Sequence, residues 1–229
     1  MWYHELLLII NTPMAFTKRE AISFTDSLMT MKGISKKTVE EHMKLYNGYV
    51  NKYNEIMTSL DTLSDDDYTK ANQVYSKVRE LKAELSFAWG GVVNHEIYFG
   101  HLGGTGEAPT GDLLKQIETD FVSFDAYKKD MKATAIAARG WVWTAWNHAE
   151  KRLFNYLGDA QNAYPIWGAT PIVALDTYEH AYFIDFGAAR AGYIDAFFSN
   201  MNWNIVAEQF KKVKENCCCD SNCHCDCKK

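Results

Sequence analysis

Two long stretches with helical periodicity, separated by a short polar break, constrain this chain more than any other feature. Between Ser35 and Leu63, Val39, Met43, Tyr46, Val50, Tyr53, Met57 and Leu60 recur in alternating steps of four and three, the spacing of one apolar helix face. Ser35 or Lys36-Lys37-Thr38 opens this helix, with Glu40 and Glu41 in the first turn, where the helix dipole favours acids. Ser64-Asp65-Asp66-Asp67 reads as a polar turn and helix cap. A second pattern runs from Tyr68 to about Leu102, with Val78, Leu81, Leu85, Ala88, Val92, His95 and Phe99 as its stripe. Gly90-Gly91 within it cost about 2 kcal/mol, so packing or function must compensate, and Gly48 in the first helix suggests close approach of another element.

Such helices, joined by a tight turn, form an antiparallel hairpin. His42 lies beside the first stripe, with Tyr46 and Tyr49 further along its own face. His95 lies within the second stripe, after Asn94. The midpoint of the two histidines falls near Tyr68, at the turn, so the hairpin sets them at similar heights. His42 taken alone fits a structural histidine or a metal ligand.

Gly103-Gly104-Thr105-Gly106-Glu107-Ala108-Pro109-Thr110-Gly111 is the clearest break in the chain and reads as a domain linker. No strand precedes it and no Gly-Lys-Ser/Thr follows, so it is not a phosphate-binding loop. Beyond it, Asp112 is expected to cap a helix bearing Leu113, Leu114, Ile117 and Phe121, and a second helix spans Ser123 to Arg139. Trp141 to Trp146 and Arg152 to Tyr156 read as strands joined by a turn in which His148 is solvated. A loop holding Gln161 and Asn162 leads to a third strand, Pro171 to Leu175, and helices follow at 189–198 and 202–214. The expected fold is therefore α+β: a long N-terminal α-helical hairpin, then helices packed on a small three-stranded antiparallel sheet. The expected divisions are an N-terminal extension (1–32), the α-hairpin domain (33–104), an α/β C-terminal domain (105–216) and a Cys-rich tail (217–229).

The third strand ends in Asp176-Thr177-Tyr178-Glu179-His180-Ala181-Tyr182. A buried acid is costly unless something positive meets it, and His180 can converge with Asp176 on one point. Carboxylate plus imidazole suits a first-row metal, while an Asp–His hydrogen bond capping the strand is the alternative. With His42 and His95 the set becomes three imidazoles and one carboxylate, from two helices and a strand end. A solvent molecule would complete five-coordination around iron or manganese.

Composition narrows the partners. The chain has 229 residues, 47% of them hydrophobic, a net charge of −5 and no basic block, so nothing marks a nucleic-acid footprint. Attraction of an anionic substrate must then be local. All six cysteines fall in the last thirteen residues, so the fold does not rest on disulfides, which favours a reducing, cytoplasmic setting. The apolar run within Met1–Ile10 is far below the ~20 residues that span a bilayer, and it lacks the flanks of a signal peptide. It reads as an extension packed on the body, with Met14 as an alternative start.

Several motifs together resemble the iron/manganese superoxide dismutases. Asp176-x-Tyr178-Glu179-His180-Ala181-Tyr182 with Arg190-Ala191-Gly192-Tyr193 is similar to the family's C-terminal signature. Ile34-Ser35, Thr38-Val39-Glu40, His42 and Tyr49-Val50-Asn51 resemble its first ligand helix, and Asn94-His95-x-x-Tyr98-Phe99 its second. Gly106 to Gly111 and Gly140-Trp141-x-Trp143 match further landmarks, so the resemblance covers about residues 33–212. It implies an antioxidant enzyme that disproportionates superoxide to O₂ and H₂O₂ at one Fe or Mn ion per subunit. It further implies His42, His95, Asp176 and His180 as metal ligands.

The resemblance also implies roles around the metal, and here the chain departs from the family. Tyr49, the gateway tyrosine, is one residue closer to His42 than is usual, which a helix without a bulge would accommodate. Tyr46 occupies a position often held by histidine, and Phe183 one often held by tyrosine. Tyr178 replaces a frequent tryptophan. Gly91 stands where many iron enzymes carry glutamine, so the second-domain amide is expected to be Gln161, or Asn162 next to it. Arg190 would supply local positive charge, and Glu179 would reach across a homodimer, or a tetramer built from it, to the partner's last histidine ligand. A metal-binding protein without turnover is one alternative; a non-haem iron oxygenase is another, which the third histidine argues against. In the tail, Cys217-Cys218-Cys219, Cys223-His224-Cys225 and Cys227 suit a soft metal held by thiolates, or are an extension without function.

Overall fold

The computed structural model describes residues 16–163 and 166–215. The expected N-terminal apolar run and the Cys-rich tail lie outside the described residues. Helix α1 spans Lys36–Asp61, and the Ser35 hydroxyl accepts from the Thr38 N–H at its start. A short helix α2, Asp65–Thr69, follows on a capping box between Ser64 and Asp67. Helix α3 spans Lys77–Gly100 and packs antiparallel along α1.

The second long helix therefore starts nine residues later than its periodicity suggests. Asn72 Oδ1 accepts from the Val74 N–H at 2.7 Å, and Ser76 Oγ caps α3 by accepting from the Arg79 N–H. Such local side-chain bonds offer the backbone an alternative to helix. The hairpin keeps its level all the same, because the ends Asp61 and Lys77 are centred on residue 69.

Residues 101–110 form no helix and lie against residues 200–202. Leu102 bridges Met201, and the Gly104 and Gly106 N–H groups donate to the Asn200 and Met201 carbonyls. Helix α4, Gly111–Phe121, starts after Thr110; Asp112 is not the cap but sits within the first turn. Helix α5, Phe124–Ala137, is capped by Ser123, whose hydroxyl accepts from the Ala126 N–H.

Strands β1 (Trp141–Asn147), β2 (Arg152–Gly158) and β3 (Ala169–Asp176) form an antiparallel sheet in the order β2-β1-β3. The central strand is buried from Trp141 to Trp146, as an apolar run with helices over it requires. His148 is not simply solvated: it is half-buried and shares a 2.8 Å hydrogen bond with Thr170, which the β1–β3 pairing brings beside it. A 3₁₀ turn at Glu179–Ala181 and helices α6 (Phe183–Phe186), α7 (Arg190–Ser199) and α8 (Trp203–Glu215) complete the described chain. None of the described helices is long and apolar enough to cross a membrane.

Two points of this framework set the site. The α1–α3 contact continues from α3 onto β3, so the hairpin abuts the sheet. The β1–β3 register pairs Trp141 with Asp176, which puts the strand-end acid under an indole and against the hairpin.

Candidate metal centre

Four side chains from four elements converge where hairpin and sheet meet. His42 comes from α1, His95 from α3, Asp176 from the end of β3 and His180 from the 3₁₀ turn after it. One ligand atom from each lies within 4.8 Å of every other. Asp176 Oδ2 is 3.1 Å from His42 Nε2, 3.0 Å from His180 Nε2 and 3.7 Å from His95 Nε2. Two donors each about 2.1 Å from a shared ion stand about 3.0–3.6 Å apart at angles of 90–120°, so these spacings fit one first-row ion.

Each ligand is aimed by a neighbour. His95 Nδ1 donates to the Gly91 carbonyl at 2.5 Å, which leaves the Nε2 lone pair facing the cluster. That Nε2 is buried and has no hydrogen-bond partner among the described residues, an arrangement that is expensive unless something takes the lone pair. Asp176 Oδ1 accepts from the Tyr178 N–H at 2.9 Å, so Oδ2 is the oxygen turned to the three imidazoles. The Asp176 carbonyl accepts from the Tyr193 hydroxyl at 2.8 Å. The Tyr178 ring stacks on His180 with centroids 5.4 Å apart, while Phe99 and Tyr98 wall in His42 and Trp141 meets His95 edge-on.

The electrostatics favour a ready donor set. Burial makes charging His42 and His95 costly, and their pKa values fall, that of His95 to about 3; both imidazoles are neutral donors at physiological pH. Burial opposes ionising Asp176, but the His180 and His42 imidazoles beside it outweigh this and hold the carboxyl well below its usual range. Burial likewise opposes charging His180, and the Asp176 carboxylate overrides it, so His180 is raised. Neutral imidazoles and an ionised carboxylate are the forms that bind a metal; His42, His95 and Asp176 are held in them, whereas His180 is biased towards its protonated form and gives up that proton when a metal binds.

Next to this set, Tyr49 and Gln161 form a pair. α1 is α-helical throughout, without a bulge, and brings the Tyr49 ring within 5.4 Å of the His95 ring. Gln161 Nε2 donates to the Tyr49 hydroxyl at 3.1 Å, and Gln161 Oε1 accepts from Trp141 Nε1 at 2.9 Å. The Gln161 carbonyl accepts from Asn94 Nδ2, and Asn94 Oδ1 from Trp143 Nε1. Asn162 points elsewhere, to the Ser86 hydroxyl. Burial raises the Tyr49 pKa; the Gln161 bond works against this and the Asp176 charge adds to it.

The other expected residues lie further out. Tyr46 is buried, but its hydroxyl is taken up by Glu96 and by the Ile22 N–H, each at 2.9 Å. Arg190 donates to the Tyr182 hydroxyl and to the Ala138 carbonyl. Glu179 is exposed, as are Phe183 and Ile184 beside it. Gly48 has open space where a Cβ would stand, so no close approach accounts for it. Sequence reasoning missed Glu96, Arg19 and the bracing by Asn94 and Trp141. The Asn94-His95-Glu96 run was the available signal for Glu96; the partners of Arg19 lie 35 and 77 residues away, beyond any local pattern.

A three-histidine, one-aspartate pocket built from a helical hairpin and a sheet end defines the class: a protein with a site suited to a single first-row metal ion. Residues 31–103 match the alpha-hairpin domain, and residues 109–209 the C-terminal domain, of the iron/manganese superoxide dismutases. The chain is 47% identical over 186 residues to an iron superoxide dismutase of Aquifex aeolicus, covering 80% of this chain and 87% of that one. It is 46% identical over 186 residues to that of Aquifex pyrophilus, with the same coverage. A mitochondrial manganese superoxide dismutase of Glossina morsitans morsitans is 32% identical over 189 residues, covering 80% of this chain and 84% of the relative. The chain belongs to the iron/manganese superoxide dismutase family.

Proposed function

We propose that this protein disproportionates superoxide at one iron or manganese ion held by His42 Nε2, His95 Nε2, Asp176 Oδ2 and His180 Nε2. The observation that carries this reading is the convergence of those four atoms within 4.8 Å, three of the four residues being fully buried. A redox metal held there supplies reversible one-electron transfer; two superoxide radicals and two protons give one O₂ and one H₂O₂ overall.

The chain's own residues set the conditions. Asp176 offsets one unit of the metal's charge and leaves a local positive field for the anionic substrate. Tyr49 keeps its proton at neutral pH, and because its oxygen accepts from Gln161, its O–H is free to donate to an anion entering beside His95. Gln161, held by Trp141, fixes that hydroxyl in place. Trp141, Tyr98 and Phe99 keep bulk water from the imidazoles. Arg190, two hydrogen bonds deep at the start of α7, contributes positive charge near the site. Tyr46, its ring 6.4 Å from that of His95, packs beside that ligand.

The expected assembly is a homodimer, or a tetramer built from it. Glu179 projects from the ligand turn into solvent with Phe183 and Ile184 also exposed, which suits a contact with a second copy. Sedimentation of Glu179→Arg against the unaltered protein tests this, with a shift towards monomer expected. The expected location is the cytoplasm. For the tail, the repeated Cys-x-Cys spacing supports an additional soft-metal site. Thiol-bound metal in the full chain, absent after truncation at Glu215, is the expected result; equal amounts in both would end that idea.

The test of the main reading is superoxide decay on protein loaded separately with iron and with manganese. Turnover by at least one form is expected. A protein that holds stoichiometric metal and is inactive in both forms would instead be a metal binder without turnover.

A further inference from the structure

The segment ahead of α1 is built into the support of the ligand histidines. Residues 16–25 form neither helix nor strand and cross the hairpin. Arg19 exchanges two hydrogen bonds with the Asn54 side chain on α1: its N–H donates to Oδ1 and its carbonyl accepts from Nδ2, both at 2.8 Å. Its guanidinium crosses to α3, where Nη2 donates to Glu96 Oε2 at 2.6 Å and Nε to Oε1 at 3.3 Å. It also lies 5.1 Å over the Trp89 ring. One arginine thus clamps both helices.

Glu96 completes a second bridge. Its Oε1 accepts from the Tyr46 hydroxyl, and the Tyr46 oxygen in turn accepts from the Ile22 N–H. Phe24 closes the arrangement, with its ring 5.5 Å from Tyr46 and 5.1 Å from Phe99. Tyr46 is one helical turn from His42, and Glu96 is the residue after His95. The Arg19 and Glu96 side chains are 33% and 15% exposed, so the pair is more than a surface ion pair, and its fork geometry resists rotation.

We propose that Arg19 and Glu96 are positioning residues: through Tyr46 they fix the spacing of α1 and α3 at the level of His42 and His95. The segment preceding the matched hairpin domain is then part of the metal site's support. This rests on the four-ligand reading given above.

The experiment compares the full-length, metal-loaded protein with Arg19→Met, Glu96→Gln, the double variant and Arg19→Lys. Three quantities are read: the rate of metal release into excess EDTA, the electron paramagnetic resonance of the ferric form, and melting of the metal-free protein. Partners that orient ligands are worth about 10–100-fold in metal affinity, so release about tenfold faster is expected in each of the Met and Gln variants. The double variant should add little beyond either single, and Arg19→Lys should recover most of the loss. The ferric spectrum should change in the Met and Gln variants.

Release rates and spectra that match the unaltered protein would overturn the proposal. So would faster release with an unchanged spectrum and a lower melting temperature in the metal-free protein, since that marks general loosening. Failure of the unaltered protein to hold any metal would instead overturn the four-ligand reading itself.

Discussion

The ring of Tyr49 lies directly on the bare Cα of Gly91. A Cβ placed on Gly91 would stand 2.5 Å from Tyr49 Cγ and 2.8 Å from Cε1. This accounts for the second glycine of Gly90-Gly91, whose helix cost needed a reason. Gly91 also supplies the carbonyl that orients His95, so one residue sets both the ligand and the tyrosine next to it.

Gly91→Ala should therefore push Tyr49 off its place. The methyl group has nowhere to go in a packed helix contact, and such overpacking costs about 1–3 kcal/mol. The Tyr49–Gln161 bond would be lost, while the carbonyl holding His95 would stay. Superoxide turnover is expected to fall about tenfold or more, as misplacements of about 1 Å do, with metal content unchanged. Normal turnover in the variant would show that Tyr49 is not needed where it stands.

Gln161→Ala removes a side chain that serves two partners. Trp141 Nε1 would be left buried without an acceptor and Tyr49 without a donor. An orphaned buried donor costs about 1–3 kcal/mol, so denaturant unfolding should show a loss in that range, together with reduced turnover. Gln161→Glu keeps the acceptor for Trp141 but cannot donate to Tyr49 when ionised. It should recover part of the stability and little of the activity, and that split separates the structural contribution from the chemical one.

His95→Ala should abolish stoichiometric metal binding. Its Nε2 is buried without a hydrogen-bond partner among the described residues, and it is the one α3 atom in the four-ligand cluster. Metal analysis after loading and gel filtration checks this, and full occupancy would exclude His95 as a ligand.

Much of this site was legible in the sequence. Periodicity alone placed His42 and His95 on helix faces that meet at one height, and the strand-end Asp176 and His180 were readable as a convergent pair. Gln161 was reachable only through the family resemblance, which implies a second-domain amide where position 91 is glycine, because a loop amide carries no pattern of its own. The late start of α3 was hidden because apolar periodicity does not register side-chain caps such as Asn72 and Ser76. The Arg19 clamp was hidden for a different reason. Its partners Asn54 and Glu96 become neighbours only once two helices are folded together.

The last prediction concerns a carboxylate that joins the two halves of the site. Asp185 Oδ2, on α6 just after His180, accepts from the Ser35 N–H and the Thr38 hydroxyl, both at 2.7 Å. It thus caps the helix that carries His42, where the dipole favours a negative charge. Burial would raise its pKa, but these hydrogen bonds outweigh that and hold it below the usual 3.8. A depressed acid contributes stability that is present above its unfolded value and lost as pH falls through the folded one. Asp185→Asn keeps an acceptor but loses the charge, so at pH 7 it should cost about 1 kcal/mol for this exposed group. That corresponds to about 2–4 °C in a chain of this size. As the pH drops below 3.8 the melting curves of the two proteins should converge. A gap that persists undiminished in acid would mean that the carboxylate charge is not what stabilises this junction.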